Sequence, residues 1–267
     1  MKNRSEAVLI TGCSTGIGRA TAERLAAAGH TVYATARNES SIEDLEDLGC
    51  RTLALDVTDE ASMKAAVDAV VAEEGAVGAL VNNAGYSQSG AIETVAMEDV
   101  RRQFETNVFG LIRMCQLVLP GMREQGAGRI VNISSMGANF TFPGGGVYHA
   151  TKYAVEAISD ALRFEVKGFG VDVVVLQPGL IQSEFGATAS SEVDANDGPY
   201  AEFNANVARA TTAAYEKGPP APPGGQPRFQ ALGSIASGVS GCTSGWAFAN
   251  SGSAIAVSKT RFTVGQG

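Results

Sequence analysis

The apolar positions of the chain fall into short runs separated by longer stretches of helical period. Ala7 to Thr11, Thr31 to Thr35, Thr52 to Leu55, Ala79 to Asn82, Arg129 to Ile133 and Val171 to Leu176 read as strands. Between them, Gly16 to Ala28, Ser40 to Leu48, Glu60 to Glu73, Met97 to Glu124 and Val147 to Lys167 read as helices. Strands that are mostly uninterrupted apolar runs, alternating with helices, predict parallel pairing, burial on both faces and right-handed crossovers. The expected fold is α/β: a single domain with a doubly wound parallel sheet in three αβα layers.

The pattern fails near Gly218. Pro199 to Lys217 fits one more helix, but all 28 acidic residues lie before Gly218, and the 50 residues from there on carry only Arg228, Lys259 and Arg261 as charges. That segment opens with Gly218-Pro-Pro-Ala-Pro-Pro-Gly-Gly225, in which no long helix can begin. Arg261 to Val264 could form a short strand. The chain therefore divides into a domain at 1–217 and an atypical Gly/Pro-rich segment at 218–267. A replaced reading frame near Gly218 and a disordered glycine-rich extension both fit the break.

Composition narrows the function classes. Of 267 residues 45% are hydrophobic and 18% charged, which excludes an intrinsically disordered chain. The net charge is −8 and the pI about 4.9, so nucleic acid and acidic membrane surfaces are not expected partners. The residues after Met1 resemble neither a leader nor a membrane span, and a cytoplasmic location is expected. Cys13, Cys50, Cys115 and Cys242 form no CxxC pair and only His30 and His149 could help them bind metal, so free thiols and no metal site are expected.

The first candidate chemistry is Thr11-Gly12-Cys13-Ser14-Thr15-Gly16-Ile17-Gly18, between the first strand and the first helix. Glycines there permit positive φ and close approach of a diphosphate to the helix N-terminus. An ordinary glycine-rich turn is the plain alternative. The same residues also match G-x-S-x-G, a hydrolase nucleophile elbow, but the one far-downstream histidine, His149, sits beside Tyr148 at a helix start. At the end of the second strand, Ala36 and Arg37 replace the acid that would accept from a ribose 2′-hydroxyl, and arginine suits a 2′-phosphate. Arg37 as a solvated loop cation stays open. Asp56, followed by Val57, could accept from an adenine amino group or serve as a turn residue before the Glu60 helix. Asn82-Asn83-Ala84-Gly85 lies where open α/β sheets bind ligands, though alone it is only a turn signal.

Tyr148 and Lys152 stand at i and i+4 on one helix face, Cβ atoms about 5 to 6 Å apart. An adjacent cation can lower a phenol by about 1 to 3 pKa units, which would make Tyr148 a usable acid/base. Ser135, at the end of the strand from Arg129, could donate to a carbonyl oxygen beside it or satisfy loop backbone.

Taken in order, Thr11 to Gly18, Asn82 to Gly85, Asn107, Ser135 with Tyr148 and Lys152, and Pro178-Gly179 resemble the short-chain dehydrogenase/reductase family, single-domain branch, with a Rossmann-like core, over roughly residues 5 to 185. The resemblance implies that Tyr148 donates and accepts the proton and that Lys152 holds the nicotinamide ribose and lowers the phenol. It implies that Ser135 orients the substrate oxygen and that Asn107 supports a water leading to Lys152. It further implies cofactor contacts at Gly12, Ser14, Thr15, Gly16, Ile17, Gly18, Arg37, Asp56, Val57, Asn83, Ala84, Gly85, Pro178 and Gly179. With Arg37, NADP(H) is expected over NAD(H).

The turn Thr11 to Ser14 and the stretch Val32 to Arg37 are most similar to the 17β-hydroxysteroid and retinol dehydrogenase members. A lipophilic ketone or alcohol follows, with Tyr86, Phe140, Phe142 and Phe185 as candidate pocket residues or plain packing residues. A carbonyl reductase is thus the expectation. A 3-oxoacyl carrier-protein reductase and a catalytically idle NADPH-binding regulator are the alternatives. Ser183 to Tyr200 is expected to cover the substrate. A homodimer or homotetramer stays open.

Overall fold

In the computed structural model, the described residues are 4–181, 185, 186, 189, 193, 198–217 and the backbone of 257–258. Cys242, the 261–264 strand, the 218–267 segment apart from residues 257 and 258, and most of 183–200 lie outside them.

Among the described residues, seven strands form one sheet. They are β1 (Val8–Ile10), β2 (Val32–Ala36), β3 (Arg51–Ala54), β4 (Ala79–Asn82), β5 (Gly128–Ile133), β6 (Val171–Gln177) and β7 (Val257–Ser258), in spatial order β3-β2-β1-β4-β5-β6-β7. The first six are parallel, as the uninterrupted apolar runs require; β7 pairs antiparallel, with Gln177 opposite Val257. Among the described residues the longer helices are α1 (Gly16–Ala27), α2 (Glu60–Glu74), α3 (Met97–Phe104), α4 (Gly110–Gln125), α5 (Gly146–Val166) and α6 (Ala201–Glu216).

Alternation along the strands makes two cores. Val8 and Ile10 pack with Ala22 and Leu25 of α1 on one face, whereas Leu9 packs with Met63 and Val67 of α2 and Met114 of α4 on the other. Ala79 and Val81 against Leu80, and Val131 against Ile130, divide in the same way. Burial on both faces is what makes these strands read as continuous apolar runs.

Two elements differ from the sequence reading. Ser40 to Leu48 is not an α-helix but two 3-10 turns, Glu39–Ser41 and Glu43–Leu48. Its fully buried Ile42 and Leu45 are three residues apart, a spacing that suits three residues per turn. The long helix from Met97 is divided by a π-helical turn at Glu105–Phe109, which rotates Asn107 inward.

The strand order reverses between β1 and β4. This switch point opens a crevice beyond the carboxyl ends of the strands, where α/β sheets receive ligands.

Candidate active site

The glycine turn is built by close backbone approach. Gly12 has φ +73°, and a Cβ there would come within 2.9 Å of Ala84 Cα. A Cβ on Gly18 would stand 2.3 Å from the Gly12 carbonyl oxygen and 2.4 Å from Asn83 Nδ2. Asn83 fastens the turn, donating from Nδ2 to the carbonyls of Thr11 (2.9 Å) and Gly12 (2.8 Å). The Thr11 hydroxyl in turn accepts from the backbone N–H groups of Asn83 and Ala84, each at 3.0 Å. Thr15, the N-cap of α1, forms no side-chain capping bond, so the first-turn N–H groups face the crevice.

At the opposite side of the crevice β5 delivers Ser135. Its Oγ accepts from Gly137 N at 3.0 Å, which leaves its hydrogen to donate. His149 holds the same turn: Phe142 N donates to Nε2 (3.2 Å), so the proton is assigned to Nδ1, which donates to the Gly137 carbonyl (2.6 Å). With both ring nitrogens engaged, His149 cannot activate Ser14, and the nucleophile-elbow reading fails. Tyr148 and Lys152 share the inward stripe of α5, with Lys152 Nζ 5.8 Å from the phenol ring centroid and donating to the Ile133 carbonyl at 2.9 Å.

One cavity of about 660 Å³ joins these parts. It is lined by Gly12, Ser14, Thr15, Gly16 and Ile17 of the turn, by Arg37, Asp56 and Val57, and by Asn83, Ala84 and Gly85. Ser135, Tyr148, Lys152, Pro178 and Gly179 line it as well. Two expected site residues do not reach it. Gly18 is buried against the turn, where it allows the close approach described above.

Asn107 is also buried behind the wall. It donates from Nδ2 to the Tyr86 carbonyl (2.9 Å) and Thr151 Oγ1 (3.1 Å) and accepts from Tyr86 N (3.1 Å), tying the loop after β4 to α5. Asp56 lines the cavity while its Oδ1 accepts from Thr58 N (2.9 Å) and Thr58 Oγ1 (2.8 Å), so it is a turn residue whatever else it binds.

Of the aromatic candidates, Tyr86 and Phe185 line the cavity and Phe140 and Phe142 do not. The latter two pack edge to face, centroids 5.0 Å apart, at a half-exposed surface where Phe142 also meets His149. The sequence reading missed Arg102, Thr106, Ile181 and Tyr215, which line the cavity from elements far along the chain. No local pattern marks them.

The charge state corrects a second expectation. Burial pushes the Tyr148 phenol up to about 12, against a smaller lowering by Ser135, rather than the neighbouring cation pulling it down. The ammonium lies 5.8 Å from the ring centroid, and burial lowers Lys152 itself to about 8, with Glu156 opposing that fall. Below pH 8 the site thus holds a neutral phenol beside an ammonium.

A family model for short chain dehydrogenase matches residues 6–194. The chain belongs to that family. This short-chain dehydrogenase is 43% identical over 179 residues to the 3-ketodihydrosphingosine reductase of Bacteroides thetaiotaomicron, covering 67% of this chain and 65% of that one, just under two thirds of the relative's length. Among solved structures, a short chain dehydrogenase/reductase from Burkholderia phymatum in complex with NAD aligns with TM-score 0.72 at 25% identity over 82% of each chain. A gluconate 5-dehydrogenase from Burkholderia cenocepacia in complex with NADP and tartrate aligns with TM-score 0.64 at 29% identity, over 70% of this chain and 77% of that one. Relatives of this dehydrogenase thus include both an NAD and an NADP complex.

Proposed function

We propose that this chain is an NADP(H)-dependent oxidoreductase interconverting a carbonyl and an alcohol on a lipophilic small molecule, with residues 1–217 as the catalytic domain. The observation that carries the reading is the single cavity shared by the glycine turn, Arg37, Ser135, Tyr148 and Lys152.

The residues present fit a dinucleotide. A turn that a Cβ would obstruct, ahead of a helix N-terminus without a side-chain cap, suits a diphosphate. Arg37 makes no ion pair among the described residues, and beside Ala36 it suits a 2′-phosphate. When bound, the nicotinamide supplies or accepts the hydride.

The chain's own residues handle the oxygen. In reduction, Ser135 Oγ and Tyr148 Oη donate to the carbonyl oxygen, and Tyr148 passes its proton to that oxygen as negative charge develops. Lys152 stabilises the phenolate left behind, and in oxidation the proton returns to it. A phenol kept neutral at neutral pH suits reduction. Asn107 acts at one remove, fixing Tyr86 and Thr151 and so the cavity wall.

The substrate end supports a lipophilic ketone. Phe185 lies between Tyr148 and Tyr215 in tilted ring contacts, with centroids at 5.9 and 6.3 Å, and Ile181 and Tyr86 add apolar wall. The Bacteroides relative is named a 3-ketodihydrosphingosine reductase.

Fluorescence titration with NADPH and with NADH tests the cofactor. NADPH should bind more tightly, and Arg37→Ala should weaken it about ten- to hundredfold with little change for NADH. Equal binding of the two cofactors by the unaltered chain would refute the NADP assignment. A panel of long-chain and cyclic ketones then tests the substrate class.

A further inference from the structure

Resting on that reading of Lys152, we propose that Glu156 is a positioning residue for the active site, the buried counter-charge that keeps Lys152 cationic and aligned. Glu156 follows Lys152 by four residues and Tyr148 by eight, so phenol, ammonium and carboxylate form one column on the inward stripe of α5. Lys152 is 6% and Glu156 7% exposed. Glu156 Oε1 accepts from Gln177 Nε2 at 2.6 Å, and Oε2 is buried without a hydrogen-bond partner among the described residues. A carboxylate held in this way is costly unless a cation nearby compensates it.

The carboxylate is also tied to both neighbouring parts of the site. Gln177, its donor, immediately precedes Pro178-Gly179 in the cavity wall, and Gln177 Oε1 accepts from Asn139 Nδ2 at 3.1 Å. Asn139 ends the 3-10 turn that Ser135 begins. One carboxylate therefore fixes the end of β6, the serine turn and the charge on α5.

The other charged groups on the elements around α5 are exposed or paired. Glu98, Arg101 and Arg102 of α3, Glu105 of the π turn, Lys167 beyond α5 and Asp172 of β6 are all at exposed positions, and Asp99 pairs with Arg102. Asp160 and Arg163 of α5 pair with each other. On the cavity side Ser135 and Tyr148 share the lining with the charged Arg37, Asp56 and Arg102 and the phenols of Tyr86 and Tyr215, and Glu156 is the charge that raises Lys152 against burial.

The test is NADPH affinity, followed by nicotinamide fluorescence from pH 6 to 10. With Lys152 holding the cofactor, binding is tight while the ammonium is charged and weakens as pH rises through its titration. Glu156→Gln keeps the size and an acceptor for Gln177 but removes the charge, which favours neutral lysine. The alkaline limb should move to lower pH by on the order of one unit, with affinity at pH 6 close to that of the unaltered chain. Glu156→Asp, which keeps the charge, should restore the limb.

Lys152→Ala should flatten the limb. A wild-type curve without a limb, or a limb that survives Lys152→Ala, overturns the assignment of Lys152 and the proposal with it. A limb abolished by Lys152→Ala but unmoved by Glu156→Gln overturns the role of Glu156 alone, as does a uniform loss of affinity at every pH. If Glu156→Gln does not fold, Glu156→Met supplies the charge-free variant for the same comparison.

Discussion

Two tyrosines sit beside cations at opposite edges of one sheet, and only one of them is placed for chemistry. Tyr33, near the start of β2, has Arg51 of β3 with its guanidinium carbon 5.1 Å from the ring centroid. Tyr148 has the Lys152 ammonium at 5.8 Å from its own. Burial raises both phenols to about 12.

The surroundings separate them. The Tyr33 hydroxyl is bracketed by Arg51, Glu73 and Glu74, and Arg51 is itself paired to Glu73 at 2.6 Å and to Glu74. Every charge there is already spent on a neighbour. Tyr148 instead meets the Ser135 hydroxyl at a cavity wall, next to an ammonium whose hydrogen bond goes to a backbone carbonyl and whose nearest counter-charge is a full helical turn away. A tyrosine beside a cation therefore signifies little. Position at the carboxyl edge and an unspent donor make the difference.

Substitutions can break this contrast in order of effect. Lys152→Ala should lower turnover about 10²- to 10⁴-fold in an NADPH oxidation assay, because the phenolate loses its stabilising charge. Wild-type turnover in that variant would place Lys152 with Arg51 as a merely structural cation. Ser135→Ala should cost about 10²- to 10³-fold by removing one donor to the substrate oxygen. Its NADPH affinity should not move, which a titration checks.

On the other edge, Arg51→Ala should leave turnover intact and lower Tm by about 2 to 4 °C in a thermal melt, the scale of a partly exposed ion-pair cluster. Loss of turnover there would erase the contrast. Tyr33→Phe should change least, with Tm lower by less than about 2 °C and unaltered kinetics.

Much of the glycine-turn half of the cavity was legible in the chain because its constraints are local. The glycine turn needs residues without Cβ at fixed offsets, and Tyr148 and Lys152 share a helix face through their spacing alone. Glu156 was legible by the same rule, one more turn along α5, but an acidic residue mid-helix reads as solvated until its burial is known. The substrate end is different. Tyr215 lies 67 residues beyond Tyr148 and reaches the cavity only because α6 folds back over it, whereas Phe140 and Phe142, near the serine turn in sequence, point away from it. The rise of the Tyr148 phenol escaped for a related reason, since spacing reveals the cation but not the depth of burial.

The most direct test of the account is Tyr148→Phe, measured for NADPH binding and for NADPH-dependent ketone reduction on the same preparation. The account predicts cofactor affinity within about twofold of the unaltered chain and reduction at background, because the phenol moves the proton and does little to hold the dinucleotide. Reduction at the unaltered rate would contradict it.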